Sequence, residues 1–128
     1  MPYTHLRPSR CLLTNDIIET IRSDSRFCLH PSQGGQAVHA ENYVCRSNGR
    51  TLAVEKGRPS DTNLVFLSTG IALPNYVKQR EVKGFDPNKR DNGINSNLIW
   101  NLTDKPTRVE VSTLSAAREI IDLIAAAP

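Results

Sequence analysis

Apolar and polar positions alternate with period two on both sides of Asn48-Gly49. Tyr43 and Cys45 before it, and Leu52 and Val54 after it, fall on one side of an extended chain. Arg46, Thr51 and Glu55 fall on the other. Asn-Gly suits the two-residue type I′ turn, whose central residues need positive φ. The pattern therefore predicts a hairpin pairing Ser47 with Arg50, Cys45 with Leu52 and Tyr43 with Val54. A helical period replaces the alternation in two places. Ile17, Ile18 and Ile21 form a short stripe, with Thr14 or Asn15 as the expected cap and Asp16 and Glu19 near the positive end of the dipole. Leu114, Ala117, Ile120, Ile121 and Ile124 form a broader stripe, with Ser112 as its expected cap. Ser115, Arg118, Glu119 and Asp122 lie opposite, and Arg118 and Asp122 stand at i,i+4 spacing.

The remaining segments read as strands and turns. Residues 26–29 make a brief strand stopped by Pro31, and the unbroken apolar run at 64–67 suits a central strand covered on both faces. Residues 76–83 are polar and suit a sheet edge, residues 97–102 alternate, and Val109 and Val111 carry the last strand. Residues 84–95 are dense in turn formers and make the longest loop. The expected fold is one α+β domain over residues 1–128. A mainly antiparallel sheet of about five or six strands carries a short N-terminal helix and a C-terminal amphipathic helix. This order of elements is similar to that of double-stranded RNA-binding domains, but residues 112–118 lack the Lys-Lys helix start of that family.

Composition narrows the picture only a little. The 128 residues are 38% hydrophobic with seven aromatics, so the core is expected to be mainly aliphatic. There is no run of about 18 apolar residues and no signal-like N-terminal segment. Cys11, Cys28 and Cys45 are odd in number and lack the close pairs of zinc sites. Reduced thiols, no metal, no cofactor and a cytoplasmic setting are the expectations. The net charge of +3 arises in the first sixty residues, with eight basic side chains against five acidic.

Three constellations could carry chemistry. The first is basic: Lys78, Arg80, Lys83, Lys89 and Arg90 surround the long loop, where Asn92 and Asn95 add amide groups. Cations position a protein on phosphates, and Asn can read base edges. The second is Pro59-Ser-Asp61 with Arg80-Glu-Val-Lys-Gly84, which resembles the two pieces of PD-(D/E)XK nucleases. That resemblance implies Asp61 and Glu81 as carboxylates for a divalent metal, with Lys83 positioning water. It departs from the family in its polar Glu-x-Lys strand. The third is His30 and His39 around Gln33-Gly-Gly-Gln36, with Glu41 as an orienting carboxylate. The first reading predicts a non-catalytic module that binds nucleic acid or an acidic protein surface through residues 76–95. The nuclease, and a small-molecule-binding or inhibitory protein, are its alternatives. Composition and pattern give no oligomeric state and no membrane partner.

Overall fold

The computed structural model describes residues 11–30, 40–56, 62–80 and 106–128. Among them, two helices and six strands form an α+β architecture. The helices are α1 (Leu12–Arg22) and α2 (Leu114–Ala126). The strands are β1 (Phe27–Leu29), β2 (Ala40–Cys45), β3 (Thr51–Glu55), β4 (Thr62–Phe66), β5 (Lys78–Arg80) and β6 (Thr107–Val111). Their order across the sheet is β1-β2-β3-β4-β6-β5, and every neighbouring pair is antiparallel. No described helix is long and apolar enough to cross a membrane.

The hairpin forms with the expected faces but a different register. Tyr43 faces Leu52 and Val44 faces Thr51, a shift of two residues from the pairing a two-residue turn would impose. In a structure of period two such a shift leaves every side chain on its original face. The connection is a four-residue loop closed by Cys45 N–H on the Arg50 carbonyl (2.7 Å) and Gly49 N–H on the Cys45 carbonyl (2.9 Å). Gly49 provides a positive φ, at 72°. The reason lies outside the hairpin. Asn48 Nδ2 donates to the carbonyls of Ile124 and Ala127 (both 2.9 Å), while its Oδ1 accepts from Arg50 N–H. The turn thereby adds a donor to the C-terminal end of α2, where Ile124 otherwise accepts only from the Ala127 N–H of the cap at 3.3 Å. Arg50 extends the clasp, donating to the carbonyls of Leu67, Thr69 and Pro128.

Both helix starts also differ from expectation. α1 begins a turn earlier, with Cys11 at its N-cap, because Thr14 belongs to the buried stripe and not to the cap. Thr14 is wholly buried, and its hydroxyl pairs with that of Thr62 on β4 at 2.6 Å. Cys11, Thr14, Ile17, Ile18 and Ile21 then follow the i, i+3, i+4 spacing of one face. α2 is capped by Thr113, not Ser112. Thr113 has the extended backbone of a cap, and its hydroxyl accepts from Ala116 N–H at 3.1 Å. Asp122 reaches Arg26 (2.8 Å) in the turn before β1 and not the expected Arg118.

One apolar layer holds these elements together. Tyr43, Cys45, Leu52, Val54, Leu64, Phe66, Val109 and Val111 face the isoleucines of α1 and α2. Full burial of each such side chain contributes about 1.5–3 kcal/mol. β4 is the central strand expected from its apolar run, with Leu64 and Phe66 under the helices and Val65 on the opposite face. There Val65, Ala53 and Ala40 form a second, small apolar cluster.

Candidate functional site

Strand parity distributes charge between two very different environments. On the helix-covered face, Glu41 continues the series Tyr43, Cys45, and Lys56 continues Leu52, Val54. The Glu41 side chain is completely buried and that of Lys56 nearly so. Arg22, in the last turn of α1, grips Glu41 bidentately: Nε to Oε1 at 2.9 Å and Nη2 to Oε2 at 2.7 Å. The Tyr43 hydroxyl also donates to Oε1, and Lys56 Nζ lies 3.6 Å from Oε2. Both carboxylate oxygens are thus occupied by charge-assisted bonds. Burial pushes the Lys56 ammonium below its ordinary value; Glu41 opposes this and Arg22 adds to it. Burial pushes the Arg22 guanidinium in the same direction, but its bonds to Glu41 outweigh that and raise it. Glu41 is therefore a structural acceptor, which corrects the expectation that it orients a histidine base. His30, whose N–H bonds the Asn42 carbonyl (2.9 Å), is half-buried and held below its ordinary value by that burial. His39 lies outside the described residues.

On the opposite face, helix-free among the described residues, Ala40, Asn42, Ala53, Asn63 and Val65 are buried, and exposure is concentrated at Lys78 on the margin. Reading across the sheet, Lys78 (β5), Glu110 (β6), Asn63 (β4) and Glu55 (β3) stand side by side. One step along, Arg80 faces Arg108, followed by Val65 and Ala53. Arg108 crosses over β4 to clasp Glu55, with Nε to Oε1 at 2.6 Å and Nη2 to Oε2 at 3.3 Å. Lys78 Nζ lies 3.7 Å from Glu110 Oε2, and the lysine is two-thirds exposed. Asn63, between the two pairs, is buried, and its Oδ1 has no hydrogen-bond partner among the described residues.

The sequence-derived residues divide accordingly. Lys78 and Arg80 stand on the edge strand β5, as the polar pattern of 76–83 implies. Lys83, Lys89, Arg90, Asn92 and Asn95 lie outside the described residues, as do Asp61, Glu81 and the strand expected at 97–102. Arg108, Glu55 and Glu110 form no motif along the chain. Arg108 is distinguishable only by a register that links residues 108 and 55.

The three thiols are free: Cys11 and Cys45 buried, Cys28 half-buried. Burial tends to raise the Cys11 thiol. Bonds with the Thr14 hydroxyl, the Thr14 and Leu13 amides and the Thr62 hydroxyl outweigh it and hold the group below its ordinary value. Among the described residues, no group of three or more His, Cys, Asp and Glu side chains is placed to share a metal ion. Comparison with family models, with curated proteins and with solved structures finds no match to this chain.

Proposed function

We propose that this is a binding domain that engages nucleic acid through the helix-free face of its sheet, at β5 and β6 and the segment that follows β5. One observation carries the reading: Arg80 and Arg108 are direct cross-strand partners. Arg108 is itself clasped by Glu55, so position 80 adds basic charge beside an ion pair that is already complete. Lys78 adds an exposed cation on the same strand, two residues from Arg80. The described helices bury their apolar faces against the other side, and on this side the exposed charge lies at Lys78, on the margin of the sheet. Lys83, Lys89 and Arg90 would extend the phosphate-contacting track, with Asn92 and Asn95 supplying base contacts. The free thiols suit a reducing, cytoplasmic setting.

Fluorescence anisotropy of labelled single-stranded DNA, duplex DNA and RNA at two salt concentrations tests the proposal. Magnesium and chelator arms, with the products examined on a gel, complete it. Salt-sensitive binding to intact oligonucleotide is the expected result. A combined K78A and R80A variant weakens it and lowers the salt slope by roughly one unit for each phosphate no longer neutralised. A K83A, K89A and R90A variant then measures how far the track continues. Absence of binding at low salt overturns the reading, and an acidic protein surface becomes the candidate partner. Metal-dependent fragments that disappear in E81A would replace it with the nuclease.

A further inference from the structure

The opposite edge of the sheet carries a separate site. Among the described strands β1 pairs only with β2, and the hydrogen bonds between them fix which backbone groups face outward. His30 N–H bonds the Asn42 carbonyl and Arg46 N–H bonds the Arg26 carbonyl, so residues 26, 28 and 30 direct their polar groups toward β2. Phe27 and Leu29 therefore direct theirs away from the sheet. Phe27 N–H is satisfied by the Asp24 carbonyl at 3.1 Å. The Phe27 carbonyl and both polar groups of Leu29 make no hydrogen bond to a described residue. They present an acceptor, then a donor and acceptor, at the spacing of an incoming strand.

Those groups stand beside an open cleft of about 370 Å³, lined by Ser23, Ser25, Phe27, Cys28, Leu29 and Arg46 among others. Its charge is uneven. Arg22 is neutralised by Glu41, and Asp24 by a bidentate clasp from Arg26. Arg46 has no such partner: its Nε donates to the Ser25 carbonyl at 3.1 Å, and it forms no ion pair with a described carboxylate. The exposed guanidinium is held in place by that bond, with its terminal nitrogens free to form the two-pronged contact that carboxylates accept.

We infer that the outer edge of β1 docks an extended, acidic peptide segment of a partner protein. The peptide adds as a seventh strand: one residue exchanges both main-chain bonds with Leu29, and another donates to the Phe27 carbonyl. An Asp or Glu side chain of the peptide meets Arg46. Charge separates this occupant from a second copy of the chain. A β1-to-β1 pairing would bring up the uncharged Phe27-Cys28-Leu29 and another Arg46, but no free carboxylate.

The probes are short fluorescein-labelled peptides that alternate valine and threonine around one central aspartate, glutamate or lysine. Saturable binding of the acidic peptides, at least ~10-fold tighter than the lysine peptide, is expected. R46E should reverse that preference. N-methylation of the peptide amide opposite Phe27 should abolish binding, because the attachment is through the main chain. Amide exchange at Leu29 should slow when the peptide is bound, and K78A with R80A should leave the affinity unchanged. Equal affinity for acidic and basic peptides, or no response to R46E in a variant that retains wild-type thermal stability, overturns the proposal. So does concentration-dependent dimerisation that L29P abolishes, since the edge would then belong to a second copy.

Discussion

The two faces of this sheet use the same kind of ion pair for different ends. On the helix-covered face, Arg22, Glu41, Tyr43 and Lys56 form a cluster shut between α1 and the strands. On the helix-free face, Arg108 holds Glu55 and Lys78 holds Glu110 at part-exposed positions. Geometry alone does not separate them, for the Arg108 contact of 2.6 Å is shorter than either bond from Arg22 to Glu41. Solvent does. The Glu41 carboxylate is wholly buried, whereas Glu55 and Glu110 keep 16% and 12% exposure, so water still reaches and screens the pairs on the second face. In the buried cluster no water replaces a missing partner, so every group depends on the others. Charge on one face acts as a structural joint, and on the other as a surface.

The largest test of that contrast is E41A. It strands Tyr43 and Lys56 in the core and leaves the part-buried Arg22 without its partner, and urea denaturation should show a loss of about 3–5 kcal/mol. A loss no larger than that of a surface substitution would mean the cluster is solvated and the contrast is false. A smaller effect sharpens the picture through pH. Because Lys56 is held below the ordinary lysine value, the unfolded chain binds more protons than the folded one between the folded value and the unfolded value of about 10.4. The burial penalty is present in full below the folded value, so stability should rise with pH across that window. In K56M, the difference between stability curves measured at neutral and alkaline pH should shrink. Least of all is E55A, which cuts the Arg108 contact on the other face. It should cost less than E41A, and salt should shrink the difference further.

Much of this was legible along the chain, and the limits have a physical pattern. The alternation around Asn48-Gly49 determined which side chains share a face. Carried two residues further at each end, it would also have put Glu41 and Lys56 on the core side with opposite charges. That signal was present, but a lone charge in a strand reads as surface until its partner is known. Arg22, the partner from α1, is nineteen residues before Glu41. Sequence also determined the stripes of both helices and the central place of β4, since burial writes itself into every residue of a period.

The tertiary structure decided what depended on contacts between distant segments. It moved the hairpin register by two residues because Asn48 is recruited to the end of α2, 76 residues away in sequence. It drew Thr14 out of a capping role because Thr62 lies above it, and it took Asp122 from Arg118 for Arg26. It set β6 between β4 and β5, which alone makes Arg80 and Arg108 neighbours. Period and parity are properties of one segment, so the sequence carries them openly. Register, capping and charge pairing are choices among near-equal local options, and packing of the whole chain settles them.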